Sequence, residues 1–127
     1  MNDVLILQDE VAYDIGKYVK QHFPQINVKS HIKVDNFLDS SSLSDVDLAV
    51  IELIHDYRDL SGVRDQINSP LDLFPFLKNL GIENLIAHAS VYRGRPQEDQ
   101  ARQYGATDFI AAEWSPEKKN EIYSKYI

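Results

Sequence analysis

The stretch Asp47-Leu48-Ala49-Val50-Ile51-Glu52-Leu53 decides the reading of the fold. Leu48 to Leu53 is an apolar run of strand length interrupted only by Glu52, and it lacks the polar alternation of a half-exposed strand. Such a run predicts a strand buried on both faces, the kind found in parallel sheets covered by helices. Val4 to Leu7, Leu85 to Ala89 and Phe109 to Ala112 are runs of the same type. Ile26, Val28, Ser30 and Ile32 alternate instead with Asn27, Lys29 and His31, a period of two that predicts an edge strand with one polar side.

Amphipathic segments separate these runs. Val11, Ile15, Tyr18, Val19, His22 and Phe23 recur at helical spacing and are closed by Pro24. A thinner helix is expected over Val34 to Leu43. Asp72 is placed to cap a helix that carries Pro75 in its first turn, turns Leu73, Phe74, Leu77 and Leu80 inward and ends at Gly81. Gln97 to Tyr104 predicts a further helix stopped by Gly105. Ser115-Pro116-Glu117 supplies the N-cap, proline and first-turn acid of a final helix. Strands alternating with helices imply parallel strands joined by right-handed crossovers, hence a three-layer α/β sandwich. With 127 residues and no Pro/Gly-rich linker or internal repeat, residues 1–127 read as a single domain, and the helix running to Tyr126-Ile127 reads as the close of a complete unit.

Composition removes several classes of function. The chain has no cysteine, so thiol nucleophiles, CxxC redox sites and cysteine-ligated zinc are excluded, and a reducing, cytoplasmic setting fits. Thirteen basic against 20 acidic residues give a net charge of -7, which opposes attraction to nucleic acid or to an anionic membrane surface. No apolar run is long enough for a membrane span or a secretory signal. Arg93-Gly94-Arg95, the tight basic cluster between residue 69 and the last helix, reads as a solvated turn. Phosphate-binding glycine loops and a GxSxG elbow are missing. No histidine pair has the i, i+4 spacing of a zinc site, and His88, in mid-strand, is expected in the core with a hydrogen-bonded ring.

In a sheet of this kind the functional crevice lies beyond the carboxyl ends of the strands, where the strand order reverses. The strand boundaries place there Gln8, Asp9 and Glu10, then Glu52 and Ile54, then Ser90, and finally Ala112 and Glu113. The result is an acidic cluster with one hydroxyl and no lysine.

Val4-Leu5-Ile6-Leu7-Gln8-Asp9-Glu10, Asp47 to Glu52, Ala89-Ser90, and Gly105-Ala106-Thr107-Asp108-Phe109, with a 15-residue step from Ser90 to Gly105, follow one another in that order. Through them the chain resembles, over essentially its whole length, the receiver domain of two-component response regulators. It implies a flavodoxin-like (βα)5 sheet in the order 2-1-3-4-5. By the same resemblance, Gln8 and Asp9 stand where an acidic pair holds Mg²⁺, and Glu52 stands at the phosphoacceptor position. Ser90 and Phe109 correspond to the switch hydroxyl and aromatic, and Ala112 to the phosphate-binding lysine. Metal ligands would be Asp9, Glu52 and the Ile54 carbonyl.

These departures have physical consequences. Phosphoryl transfer relies on a metal and fixed positive charge set against in-line oxygens. Glu52 moves the carboxylate outward by one methylene, roughly 1.5 Å. Gln8 removes an anionic partner of a hard cation, and Ala112 removes the fixed positive charge. The expectation is therefore an atypical receiver that is not an enzyme, binds Mg²⁺ weakly if at all, and works as a protein-interaction module towards a histidine kinase or another signalling protein. Glu52 would either hydrogen-bond Ser90 in the place of a phosphoryl group or sit in a decayed pocket, solvated or paired with Arg58, Arg64 or Arg93. The alternatives are a working phosphorelay receiver and a small metal-dependent hydrolase using Asp9, Glu52 and His55. Tyr92, Arg93, Phe109 and Trp114 form the candidate interface, with an aromatic anchor and a packed sheet edge as its two readings. The step from Glu52 to Ser90 is 38 residues, longer than in typical receivers, and the excess is assigned to an insertion at 54–69, read as either a pocket cover or a surface loop.

Overall fold

A computed structural model describes residues 3–9, 13–32, 34–39, 43–53, 67 and 69–127. Five parallel strands, β1 (Asp3–Leu7), β2 (Asn27–His31), β3 (Leu48–Glu52), β4 (Leu85–Ala89) and β5 (Asp108–Ala111), form one sheet in the order β2-β1-β3-β4-β5. The helices are α1 (Ile15–His22), α2 (Val34–Leu38), α3 (Leu73–Asn79), α4 (Arg95–Tyr104) and α5 (Pro116–Tyr123). This is the three-layer, doubly wound sandwich expected from the sequence, and β2 is the edge strand that its alternation predicts.

Strand parity decides what each face carries, because successive side chains point to opposite sides of a sheet. Leu5, Leu7, Ala49, Ile51, Leu85, Ala87, Ala89, Phe109 and Ala111 pack under Phe37 of α2, Phe74 and Leu77 of α3 and Ala101 of α4. Val4, Ile6, Leu48, Val50, Ile86 and Ile110 pack under Ile15, Tyr18 and Val19 of α1 and Tyr123 of α5. Glu52 and His88 continue the second set, so their side chains belong to the α1/α5 face.

Several boundaries differ from the sequence reading. Helix α1 starts at Ile15 because Asp14 caps it, its carboxylate accepting the Lys17 amide at 3.0 Å; Val11 lies outside the described residues. The expected second helix is α2 followed by a 3-10 turn at Leu43–Asp45. Asp72 stands at the N-cap position of α3 as expected, but its side chain makes no capping bond there. It ends a 3-10 turn, Pro70–Asp72, and its carboxylate turns back to accept the Ser69 amide at 3.2 Å. Leu80 falls past the last residue of α3 and is 45% exposed rather than inward. Helix α4 opens two residues earlier than expected, after Gly94, and closes at Gly105, whose φ of 118° is open to a residue without a Cβ. β5 starts at Asp108 and ends at Ala111, one residue earlier at each end than the apolar run suggested. The segment assigned to an insertion lies mostly outside the described residues, as do Arg58 and Arg64.

Asp108 anchors the opposite pole of the sheet from the crevice. Its carboxylate accepts from Tyr126 Oη at 2.9 Å, Arg102 Nη2 at 3.3 Å and Lys125 Nζ at 3.4 Å. Burial alone would raise its pKa, but the Tyr126 hydroxyl, the Phe109 amide and Lys125 hold it below the ordinary value, while the Tyr126 phenol is pushed up to about 12. A depressed carboxyl stabilises the fold above its unfolded pKa and ceases to do so as pH falls through its folded value. Asp108→Asn should therefore lower stability near neutral pH by about 1.5–3 kcal/mol, the scale of hydrogen bonds to a charged group. Urea unfolding of both proteins at decreasing pH should show that difference shrinking below about pH 4; a gap that stays constant through the acid range contradicts this role.

Candidate functional site

The carboxyl ends of β1, β3, β4 and β5 bring Gln8, Asp9, Glu52, Ser90 and Ala112 to one edge of the sheet, at the crevice where β1 lies between β2 and β3. Glu52 is the centre of this edge. It is fully buried, at 0% exposure, although it ends its strand. The parallel register pairs Glu52 with His88 on the neighbouring strand, and their shared parity turns both side chains to the same face.

Glu52 is held by donors from β4 and from the residue after it. His88 Nδ1 lies 2.7 Å from Oε2, Ser90 Oγ donates to Oε2 at 2.8 Å, and the Ser90 amide donates to Oε1 at 3.0 Å. A carboxylate is an acceptor in this contact when the imidazole tautomer that carries its proton on Nδ1 faces it. His88 is 1% exposed, and Tyr13 stacks on its ring with centroids 5.5 Å apart and planes at 23°. Burying a carboxylate without such partners would cost several kcal/mol. These charge-assisted bonds offset that cost and fix the orientation of Glu52.

Gln8 faces the same side but serves another purpose. Its Oε1 accepts the Gly16 amide at 2.9 Å and its Nε2 donates to Asp14 at 3.2 Å, so the side chain secures the start of α1. Asp9 is half-buried beside it. Ile54 and His55 lie outside the described residues. Among the described residues no three His, Asp or Glu side chains converge as a metal centre.

The sequence reading found no lysine at this edge, but α5 supplies one. Lys119 is 4% exposed, and its ammonium donates to the Ala112 carbonyl at 3.1 Å and to the Tyr13 hydroxyl at 3.2 Å. It lies 4.1 Å from the Tyr18 ring centroid and 4.8 Å from that of Tyr13. Burial lowers its pKa. The residue that follows β5 thus carries no cation itself but receives one through its carbonyl. The available signal was the spacing of Lys119 and Tyr123, i and i+4 on one helix, which puts both on the buried stripe. His88 was expected in the core with a bonded ring; its pairing with Glu52 required the register. Tyr13 had no signal beyond its place before the α1 cap.

The candidate interface is partly internal. Phe109 is 1% exposed, which removes it as an exposed anchor. Its ring lies under Tyr92 and Trp114, with centroids 5.9 Å away in both cases, and those two rings are 5.7 Å apart. Tyr92 is tied by its hydroxyl to Glu98, and Lys118 places its ammonium 3.7 Å from the Trp114 ring centroid. Tyr92 and Trp114 are half-buried, and Arg93 is exposed with its amide capped by Gln97 at 2.9 Å.

No protein-family model and no curated protein matches the sequence. Solved structures do. The BeF3-activated DrrB receiver domain aligns with a TM-score of 0.76 at 15% identity, over 99% of this chain and 97% of that one. The BeF3-activated N-terminal receiver domain of Klebsiella pneumoniae RstA gives 0.75 at 11% identity, over 98% and 97%. The Vibrio cholerae chemotaxis protein CheY4 gives 0.71 at 11% identity, over 100% and 99%. At these identities the likeness is one of fold, and the fold is that of the receiver.

Two substitutions test the geometry at Glu52. Ser90→Ala removes a hydroxyl donor to a charged acceptor and should cost about 1.5–3 kcal/mol. Glu52→Gln turns an amide nitrogen towards donors and should cost about 3 kcal/mol or more, the scale of a broken buried pair. Denaturant midpoints measure both, and a neutral Glu52→Gln would show the carboxylate to be solvated.

Proposed function

We propose that the chain is a receiver-like signalling domain, residues 1–127, that works as a protein-interaction module without the aspartyl-phosphate cycle. The observation that carries this reading is the set of donors on Glu52. In the resemblance, Ser90 stands for the hydroxyl that engages a phosphoryl group; here its Oγ and its amide both engage the Glu52 carboxylate. The carboxylate is only a partial stand-in for a phosphoryl dianion, with less charge and fewer oxygens. It is nonetheless covalently part of the chain, so the bond to Ser90 needs no kinase to form.

The rest of the edge supports the same reading. An attacking carboxylate must present a lone pair along the line of transfer, whereas the described Glu52 oxygens face N–H and O–H donors. Gln8 offers an amide already bonded to Gly16 and Asp14. Gln8 thus adds no anionic oxygen for a hard cation, which leaves Asp9 and Glu52 and at most a weak Mg²⁺ site. Ala112 leaves the fixed cation to Lys119, whose ammonium is engaged by a carbonyl and a phenol.

The docking face in this reading is formed by α4, β5 and α5. Phe109 supports Tyr92 and Trp114 from beneath, and Arg93 and Lys118 add exposed charge at its rim. The partner would be a histidine kinase or another cytoplasmic signalling protein. No helix among the described residues is long and apolar enough to cross a membrane.

Intact mass after incubation with Mg²⁺ and a small acyl-phosphate donor tests the reading. The natural chain should remain unmodified, while a Gln8→Asp, Glu52→Asp, Ala112→Lys variant should gain one phosphoryl group. A phosphoryl adduct on the natural chain would instead make it a working phosphorelay receiver.

A further inference from the structure

The least expected group among the described residues is Lys119, a buried ammonium on α5. A lysine kept only for packing has a simpler replacement, because exchanging a buried charge for an apolar side chain of similar volume is often neutral or stabilising. Its surroundings are specific. Two phenol rings flank the ammonium, and its hydrogen-bond acceptors are the Tyr13 hydroxyl and the Ala112 carbonyl.

Both acceptors lead to Glu52. Tyr13 precedes the α1 cap; its hydroxyl accepts from the Lys119 ammonium and its ring stacks on the His88 imidazole, which is bonded to Glu52. The stacked ring covers one face of the imidazole, which limits its rotation away from the carboxylate. The second route runs through backbone: the Ala112 carbonyl accepts from Lys119 while the Ala112 amide donates to the Ala89 carbonyl at 2.9 Å, immediately before Ser90. One ammonium thus touches both the ring stacked on His88 and the residue after β5 whose amide is bonded to the end of β4.

We propose that Lys119 is a positioning residue for the Glu52–Ser90 link, acting from α5 through the Tyr13 ring onto His88 and through the Ala112 carbonyl onto the end of β4. This rests on the reading above, in which that link is the working state of the domain. It adds that the occupancy of the link depends on how α5 is seated against α1, so a protein that displaces α5 would loosen Glu52 from Ser90 without touching either.

Nuclear magnetic resonance of the whole chain tests this with two probes, the Ser90 amide proton and the His88 Nδ1 nitrogen. Lys119→Met should move both towards the positions of unbonded groups. Tyr13→Phe keeps the ring, removes the hydroxyl and should move them in the same direction by less, which covers the case of a poorly folded Lys119 variant. Tyr126→Phe, at the Asp108 pole, should leave both in place. The proposal is overturned if Lys119→Met and Tyr13→Phe leave both probes unmoved, or if Tyr126→Phe moves them equally, since the effect would then be one of general stability. Glu52→Ala, which removes both acceptor oxygens, separates the two levels. If it leaves the Ser90 amide unmoved, the link itself is absent and the parent reading falls with the proposal. If it moves that amide while the Lys119 and Tyr13 variants do not, only the role of Lys119 is lost.

Discussion

Glu52 brings a full carboxylate to the end of a central strand where the chain offers it no exposed surface. A buried charge of this kind imposes conditions on its neighbours, because each lone pair left without a donor costs more than the bond would contribute. The parallel register answers with His88 on the adjacent strand, and the turn after β4 answers with the hydroxyl and amide of Ser90. The imidazole is in turn buried, stacked on Tyr13, and Tyr13 is bonded by Lys119. A single acid at position 52 thereby organises residues from β3, β4, the α1 entry and α5 into one connected polar system inside an otherwise apolar face.

The sheet was legible because its signals are local and redundant. The continuous apolar runs at Val4 to Leu7, Leu48 to Ile51 and Leu85 to Ala89 can be satisfied only where both faces are covered, and the alternating run over 26–32 only at an edge. Helix starts were less legible. Asp72 stands just before α3, but its carboxylate turns back to the Ser69 amide across a 3-10 turn, a local hydrogen-bond choice that periodicity does not encode. Leu80 was assigned inward by its spacing, yet the helix stops before it, and a residue beyond the last turn no longer follows the helical phase.

The site divides in the same way. Residues placed at strand ends, such as Gln8, Asp9, Glu52, Ser90 and Ala112, follow from strand boundaries alone. Partners set by cross-strand register or by helix docking do not. His88 and Glu52 are 36 positions apart, and Lys119 and Tyr13 are 106 apart. Of the adjacent Lys118 and Lys119, one lies over Trp114 at the surface and the other is buried between tyrosines, a difference set by how α5 docks. Conversely, Phe109 reads from the sequence either as an anchor or as part of a packed sheet edge, and its parity sends it to the core.

The chain contains one tryptophan, and it occupies an informative place. Trp114 sits in the turn between β5 and α5, half-buried, with the Lys118 ammonium over its indole and the edges of Tyr92 and Phe109 around it. An indole's emission responds to nearby charge and to its own hydration, so the intrinsic fluorescence of this protein is a local optical signal from a single turn rather than an average over the molecule. The natural chain carries its own reporter at the hinge between the last strand and the last helix, with no label required.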